Sequence, residues 1–139
     1  MDDNCIFCKI VEGYIPSYKI YETDNFLAFL DIAQFSEGHT LVIPKTHYRF
    51  VWDVPNIDEY FQVVQKVAQH YIKNFNFKYV DSLVYGRMVP HAHVHLVPHN
   101  GDNLEWNNSQ KHTEDLGQDE ERKLTPENGM LLVNKFKIS

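Results

Sequence analysis

The sequence predicts an α+β domain built on an antiparallel sheet, and three observations carry that prediction. Three histidines recur at every second position in Pro90-His91-Ala92-His93-Val94-His95-Leu96-Val97-Pro98; one long amphipathic stretch covers 56–73; and short apolar runs bounded by turn residues lie on either side of it. Successive side chains of an extended strand point to opposite faces, so His91, His93 and His95 are expected on one face and Ala92, Val94 and Leu96 on the other. The two prolines are expected to frame that strand, one at its first position and one just beyond its end.

The remaining elements come in chain order. Residues 4–22 open with Cys5-x-x-Cys8, continue through Ile6, Phe7, Ile10 and Val11, and meet Gly13 and Pro16 before Tyr18-Lys19-Ile20-Tyr21, which reads as a short helix, a turn and a strand. Phe26-Leu27-Ala28-Phe29-Leu30-Asp31-Ile32 reads as a buried strand delivering Asp31 to its edge, and His39-Thr40-Leu41-Val42-Ile43, after Gly38, as a β-branched strand closed by Pro44, with His47 just past it. Asn56, with Glu59 three residues on, is expected to cap a helix whose inner face is Tyr60, Val63, Val64, Val67, Tyr71 and Ile72. Tyr79 to Tyr85 forms a strand that turns back at Gly86. From His99 to Lys123 the composition becomes polar around a lone Trp106, predicting a long irregular segment. Thr125-Pro126 has the form of an N-cap with proline at the first helical position, so Met130 to Phe136 is expected to lie in a terminal helix.

Length and charge bound the function. One domain over 1–139 is expected, with a core of about 4–100 and a polar extension over 101–139. A net charge of -6 with no basic patch argues against a nucleic-acid partner, while local donors can still hold a small anion. No run of about 18 apolar residues occurs and Met1-Asp2-Asp3-Asn4 is acidic, so no membrane partner is expected. Two cysteines three apart are no disulfide framework and suit a reducing, cytoplasmic location.

Three imidazoles on one strand face admit a solvated surface, a metal cage or a catalytic apparatus. A His-x-His pair can chelate zinc as part of a hydrolase, and the Cys5/Cys8 pair with two histidines can instead close a Cys2His2 site with no open position. A neutral imidazole that is not a ligand is a competent nucleophile when its second nitrogen keeps a proton on a fixed acceptor. Attack on phosphorus, with a neighbouring imidazole donating to a phosphoryl oxygen, is the chemistry such a pair supports.

His91-Ala92-His93-Val94-His95-Leu96-Val97 resembles the His-φ-His-φ-His-φ-φ signature of the histidine triad, or HIT, superfamily. Cys5-Ile6-Phe7-Cys8-Lys9-Ile10-Val11, Ile15-Pro16-Ser17, Leu27-Ala28-Phe29-Leu30-Asp31-Ile32 and Gly38-His39-Thr40-Leu41-Val42-Ile43-Pro44-Lys45-Thr46-His47 resemble the N-terminal half of that family in the same order. The resemblance spans roughly residues 4–100 and implies a five-stranded antiparallel sheet with one long helix and short terminal helices, in a homodimer whose sheets join. It implies a small-molecule partner, a purine nucleotide. His93 is implied as the nucleophile at the α-phosphorus and His95 as a phosphate contact; Asp31 is implied at the ribose, and Phe7, Ile10, Ile15, Phe29 and Ile32 at the base. A structural Zn2+ held by Cys5, Cys8, His47 and His91 is implied by the zinc-bearing, bacterial-type members. His39 matches a family histidine and is assigned no role.

The resemblance breaks just before the triad. Many relatives carry Gly-Gln-Ser/Thr there, whereas this chain reads Gly86-Arg87-Met88-Val89-Pro90, similar to a short-loop branch of the family. Arg87 either replaces the missing donors, as a planar fork suited to phosphate, or faces solvent. His99 stands where an arginine often follows the proline. The implied function is a nucleotide hydrolase or transferase acting on a nucleoside phosphoramidate, acyl nucleotide or dinucleoside polyphosphate through a nucleotidyl-histidine. A nucleotide-binding or scaffold protein with little catalysis is the alternative.

Overall fold

The computed structural model describes residues 4–101 and 123–138. Helix α1 (Ile6–Val11) precedes strands β1 (Lys19–Glu22), β2 (Phe26–Leu30) and β3 (Thr40–Pro44). A 3-10 turn (Val51–Asp53) and the long helix α2 (Ile57–Phe75) lead to β4 (Tyr79–Val84), β5 (Val94–His99) and a terminal helix α3 (Pro126–Phe136). The strands form one five-stranded antiparallel sheet in the order β1-β2-β3-β5-β4. This is the expected α+β architecture.

Strands β2, β3 and β5 are buried along their whole length, because each face of the sheet is covered. Phe26, Ala28, Leu30, Val42, Val94 and Leu96 pack under α2. The alternate residues Leu27, Phe29, Leu41 and Ile43 pack against Phe7, Cys8 and Ile10 of α1. Period-two alternation therefore separates two apolar sets instead of an apolar from a polar one, which is why β2 and β3 read as unbroken apolar runs.

Four local expectations need correction. Asn56 occupies the N-cap of α2, but its amide donates to Glu59 Oε2 at 3.0 Å and caps no backbone N–H. Ile72 is 44% exposed, since Tyr71 already takes the inward position on that turn. The histidine strand begins at Val94 and not at Pro90. There the ladder ends, because the Ala92 N–H donates to Tyr48 O and His93 bonds the carbonyl of His91. Pro98 sits inside β5, pairing with Val80; β3 stops pairing at Leu96, so β5 has a neighbour on one side only at the proline. Most of the expected irregular segment over 99–123, with Trp106, and Met1 to Asp3 lie outside the described residues.

The terminal helix completes the core. Thr125 accepts from the Asn128 N–H at 3.2 Å and Pro126 opens the first turn, as the sequence predicts. Phe136 is fully buried, with its ring 5.3 Å from Tyr71 and 4.9 Å from Phe75. A side chain on Gly129 would collide with the ring of Tyr18, and this close approach of α3 to the residue before β1 keeps a glycine inside a helix. Among the described residues no helix is long and apolar enough to cross a membrane.

Phe136→Ala removes a fully buried ring and should lower unfolding free energy by about 3–5 kcal/mol. Chemical denaturation checks this; a loss under about 1 kcal/mol means that α3 is peripheral to the core.

Candidate active site and metal centre

Two clusters of imidazoles flank the start of β5. The first joins four residues from three parts of the chain. Cys5 is the N-cap of α1 and Cys8 lies one turn on, so both thiols project from one end of the helix; Cys5 Sγ accepts the Cys8 N–H at 3.4 Å. His47 lies past the end of β3 and His91 precedes β5. His91 Nδ1 stands 3.2 Å from Cys5 Sγ, 3.5 Å from Cys8 Sγ and 3.2 Å from His47 Nδ1, while Cys8 Sγ is 3.3 Å from His47 Nδ1.

The chemistry of this donor set fits a metal. A carbonyl only accepts, so the 2.8 Å contact between His91 Nε2 and Pro44 O places a proton on Nε2 and leaves the Nδ1 lone pair aimed at the thiols. Burial holds this imidazole neutral, its pKa lowered to about 4. Tetrahedral zinc, with bonds of about 2.3 Å to sulfur and 2.0–2.1 Å to nitrogen, sets its ligand atoms about 3.3–3.8 Å apart. The observed separations are in or just under that range. Four protein donors would fill such a shell, leaving no position for substrate.

The second cluster is a relay of assigned protons. The Phe35 N–H donates to His39 Nδ1 at 3.2 Å, so the proton of neutral His39 lies on Nε2. That Nε2–H meets His95 Nδ1 at 2.9 Å, which makes Nδ1 the acceptor and puts the His95 proton on Nε2. His93 has the opposite polarity. Its Nδ1 lies 2.7 Å from the His91 carbonyl and must donate, leaving Nε2 as a bare lone pair. The adjacent rings, 5.1 Å apart, thus offer a donor and an acceptor at equivalent nitrogens.

Burial lowers the pKa of all three of these imidazoles, against the attraction of Asp31 for a charged His39 and His93. For His95 the neighbouring His39 and His93 lower it further. Asp31 Oδ1 accepts the Ala33 N–H at 2.9 Å, and Oδ2 lies 3.6 Å from His39 Nε2 and 3.9 Å from His95 Nδ1.

A cavity of about 720 Å3 opens over this relay, a volume that suits a nucleotide-sized ligand. Phe7, Ile10, Ile15, Phe29 and Ile32 line it, and so do Asp31, Arg87, His93 and His95. Cys5, Cys8, His47 and His91 do not; they form the metal-type cluster behind it. All three triad histidines are under 10% exposed, so the face they share is no solvated surface.

Sequence reasoning missed two residues. His39 is fully buried, stacked on Phe35 at 4.9 Å, and sets the polarity of His95. A histidine opening a strand of β-branched residues was the available signal, since both its ring nitrogens need partners when buried. Gln34 donates to the carbonyls of Asp31 and His39 and accepts from the Gly38 N–H, which fixes the turn carrying both site residues. Nothing in its sequence context marked it. Gly38 has φ +101°, and a Cβ there would meet Pro98 at 2.9 Å.

Comparison with known proteins gives concordant matches. The HIT domain matches residues 12–102. The protein named hit from Bacillus subtilis is 43% identical over 106 residues, covering 71% of this chain and 73% of that one. An adenosine 5'-monophosphoramidase of Saccharomyces cerevisiae is 38% identical over 103 residues, covering 70% of this chain and 64% of the yeast protein. The crystal structure of a zinc-bound histidine triad family protein from Mycobacterium smegmatis superposes with a TM-score of 0.69 at 32% identity, over 96% of this chain and 93% of that one.

The neutral relay makes folding acid-sensitive. Below pH of about 6.5 the unfolded chain protonates His39 and His95 while the folded chain, with both pKa values lowered, does not. The unfolded state then binds more protons, and stability falls as pH falls. Denaturation in chelator should give a lower midpoint at pH 5 than at pH 7.5, with a shallower dependence in His39→Gln; identical slopes would contradict the relay.

Proposed function

The chain belongs to the HIT domain family, and we propose that within it the protein is a nucleotide hydrolase or transferase acting at an α-phosphorus through His93. The observation that carries this reading is the opposed polarity of two adjacent imidazoles on the floor of one cavity: a lone pair on His93 Nε2 beside a proton on His95 Nε2. The His93 lone pair forms a bond to phosphorus as the bond to the leaving group breaks, the leaving group taking the electron pair. The Nδ1–H of His93 remains on the His91 carbonyl and stabilises the ring as it becomes cationic. His95 donates to a non-bridging oxygen, where charge grows in the transition state. Water, or another acceptor, then attacks phosphorus, loses a proton and returns the electron pair of the N–P bond to His93.

The apolar side chains Phe7, Ile10, Ile15, Phe29 and Ile32 hold the base, and Asp31 accepts from the ribose hydroxyls. Arg87 faces the phosphates. The substrate class in this reading is a nucleoside phosphoramidate, acyl nucleotide or dinucleoside polyphosphate, and the yeast relative, named a monophosphoramidase, supports the first. Zinc on Cys5, Cys8, His47 and His91 has a structural role, tying α1 to the segment that carries His93; the donor geometry and the zinc-bound relative support it. In a homodimer, the half-exposed β4 is the edge through which two sheets join.

One observation favours a scaffold with little catalysis. Met88 lines the cavity 63% exposed, where the resemblance expects a hydroxyl or amide donor. Adenosine 5'-phosphoramidate separates the two readings. His93→Ala should lose about three orders of magnitude or more in kcat/KM while retaining nucleotide binding. Wild-type protein that binds nucleotide but yields no turnover and no phosphorus–histidine adduct would instead support the scaffold.

The metal is tested separately. Purified protein should carry close to one zinc per chain by elemental analysis, and Cys8→Ser should lose it, with a thermal midpoint several degrees lower. Wild-type protein stripped with chelator and still folded at 20 °C should keep most of its turnover. Complete loss without loss of fold would place the chemistry on the metal.

A further inference from the structure

The charge inside the cavity is unevenly placed. Asp31 and Arg87 are the only Asp, Glu, Lys or Arg side chains lining it among the described residues. On its floor, His95 carries a single proton in this hydrogen-bond pattern, because its Nδ1 accepts from His39 Nε2–H. Asp31 lies against the Nδ1 edge of His95, at 3.9 Å. Arg87 lies beyond Tyr85: its guanidinium is 5.9 Å from the Tyr85 ring, and that ring meets His95 edge-on at 5.4 Å. A nucleotide whose ribose is at Asp31 and whose α-phosphorus is at His93 therefore directs its leaving group toward the Tyr85–Arg87 segment.

We propose that Arg87 is a specificity-determining residue that reads the charge of the leaving group, favouring nucleotides in which the α-phosphorus carries an anionic group, such as phosphate or sulfate, over those carrying an uncharged amine. The inference rests on the His93 reading of the site. When the bond to a phosphate or sulfate breaks, its electron pair stays on the departing oxygen, and the anion leaves without a proton. An amine takes the same pair, acquires a proton from water and departs uncharged. Only the first places growing negative charge opposite Arg87. No other Lys or Arg lines the cavity among the described residues, and the chain as a whole, at -6, repels an anion. Arg87 is exposed, so its substitution leaves the core intact.

The test compares two substrates and two ligands in wild type, Arg87→Gln and Arg87→Glu, with thermal midpoints as the check on folding. Arg87→Gln should lower kcat/KM for adenosine 5'-phosphosulfate at least tenfold more than for adenosine 5'-phosphoramidate, and Arg87→Glu should widen the gap. A dinucleoside polyphosphate arm shows whether the preference extends from sulfate to phosphate. By calorimetry, ADP affinity should fall at least fivefold more than AMP affinity, since only ADP carries a group beyond the α-phosphorus. Equal losses for both members of each pair would make Arg87 a general phosphate contact and overturn the proposal; so would no change. If wild type turns over neither substrate, the His93 reading fails, and the ADP-to-AMP ratio still decides Arg87 by itself.

Discussion

A carbonyl oxygen can only accept a hydrogen bond and a backbone N–H can only donate one, and the organisation of this protein depends on where the fold puts those groups against buried imidazoles. Pro44 O accepts from His91 Nε2–H, His91 O accepts from His93 Nδ1–H, and the Phe35 amide donates to the lone pair of His39 Nδ1. Each contact settles which ring nitrogen is left for a ligand. Burial reinforces them by disfavouring the charged form that would erase the distinction. Three histidines of one motif consequently differ in the chemistry they present: a lone pair toward two thiols, a lone pair at the cavity and, through His39, a proton at the cavity.

The sheet makes this possible because both its faces are covered. On one side α2 and α3 build the main core, with Phe136 packed among Tyr71, Phe75 and Phe77. On the other, the short α1 lays Phe7 edge-on against both His91 and His93, at 5.8 and 5.3 Å. Phe7 thus separates the metal-type cluster from the cavity while touching both. The stability of the main core and the geometry of the site are also linked at Gly38, whose turn carries His39 and whose backbone is approached by Pro98 and Phe136.

Much of this was legible in the chain. The alternation of His91, His93 and His95 with Ala92, Val94 and Leu96 did assign them to opposite faces, and the pairing of Cys5 with Cys8 did mark one helical turn. What misled was local. Pro90 and Pro98 look like matched ends of a strand, yet the ladder starts only at Val94 because the preceding segment bonds to the Tyr48 loop and to itself. Asn56 and Glu59 have capping-box spacing, but they bond each other. Ile72 has the right period for the inner face of α2 and is crowded out by Tyr71.

By itself, the sequence determined the element order, the sheet class and the set of residues able to meet at a site, because apolar period, turn residues and motif spacing are properties of neighbours along the chain. It left His39 and Gln34 without roles, and it divided the parts of the three imidazoles only through a family resemblance, with no proton assigned to either ring nitrogen. Only the tertiary structure decided those matters. The direction of a hydrogen bond to Pro44, Phe35 or His91 depends on which backbone group arrives opposite a ring, and spacing along the chain does not encode it.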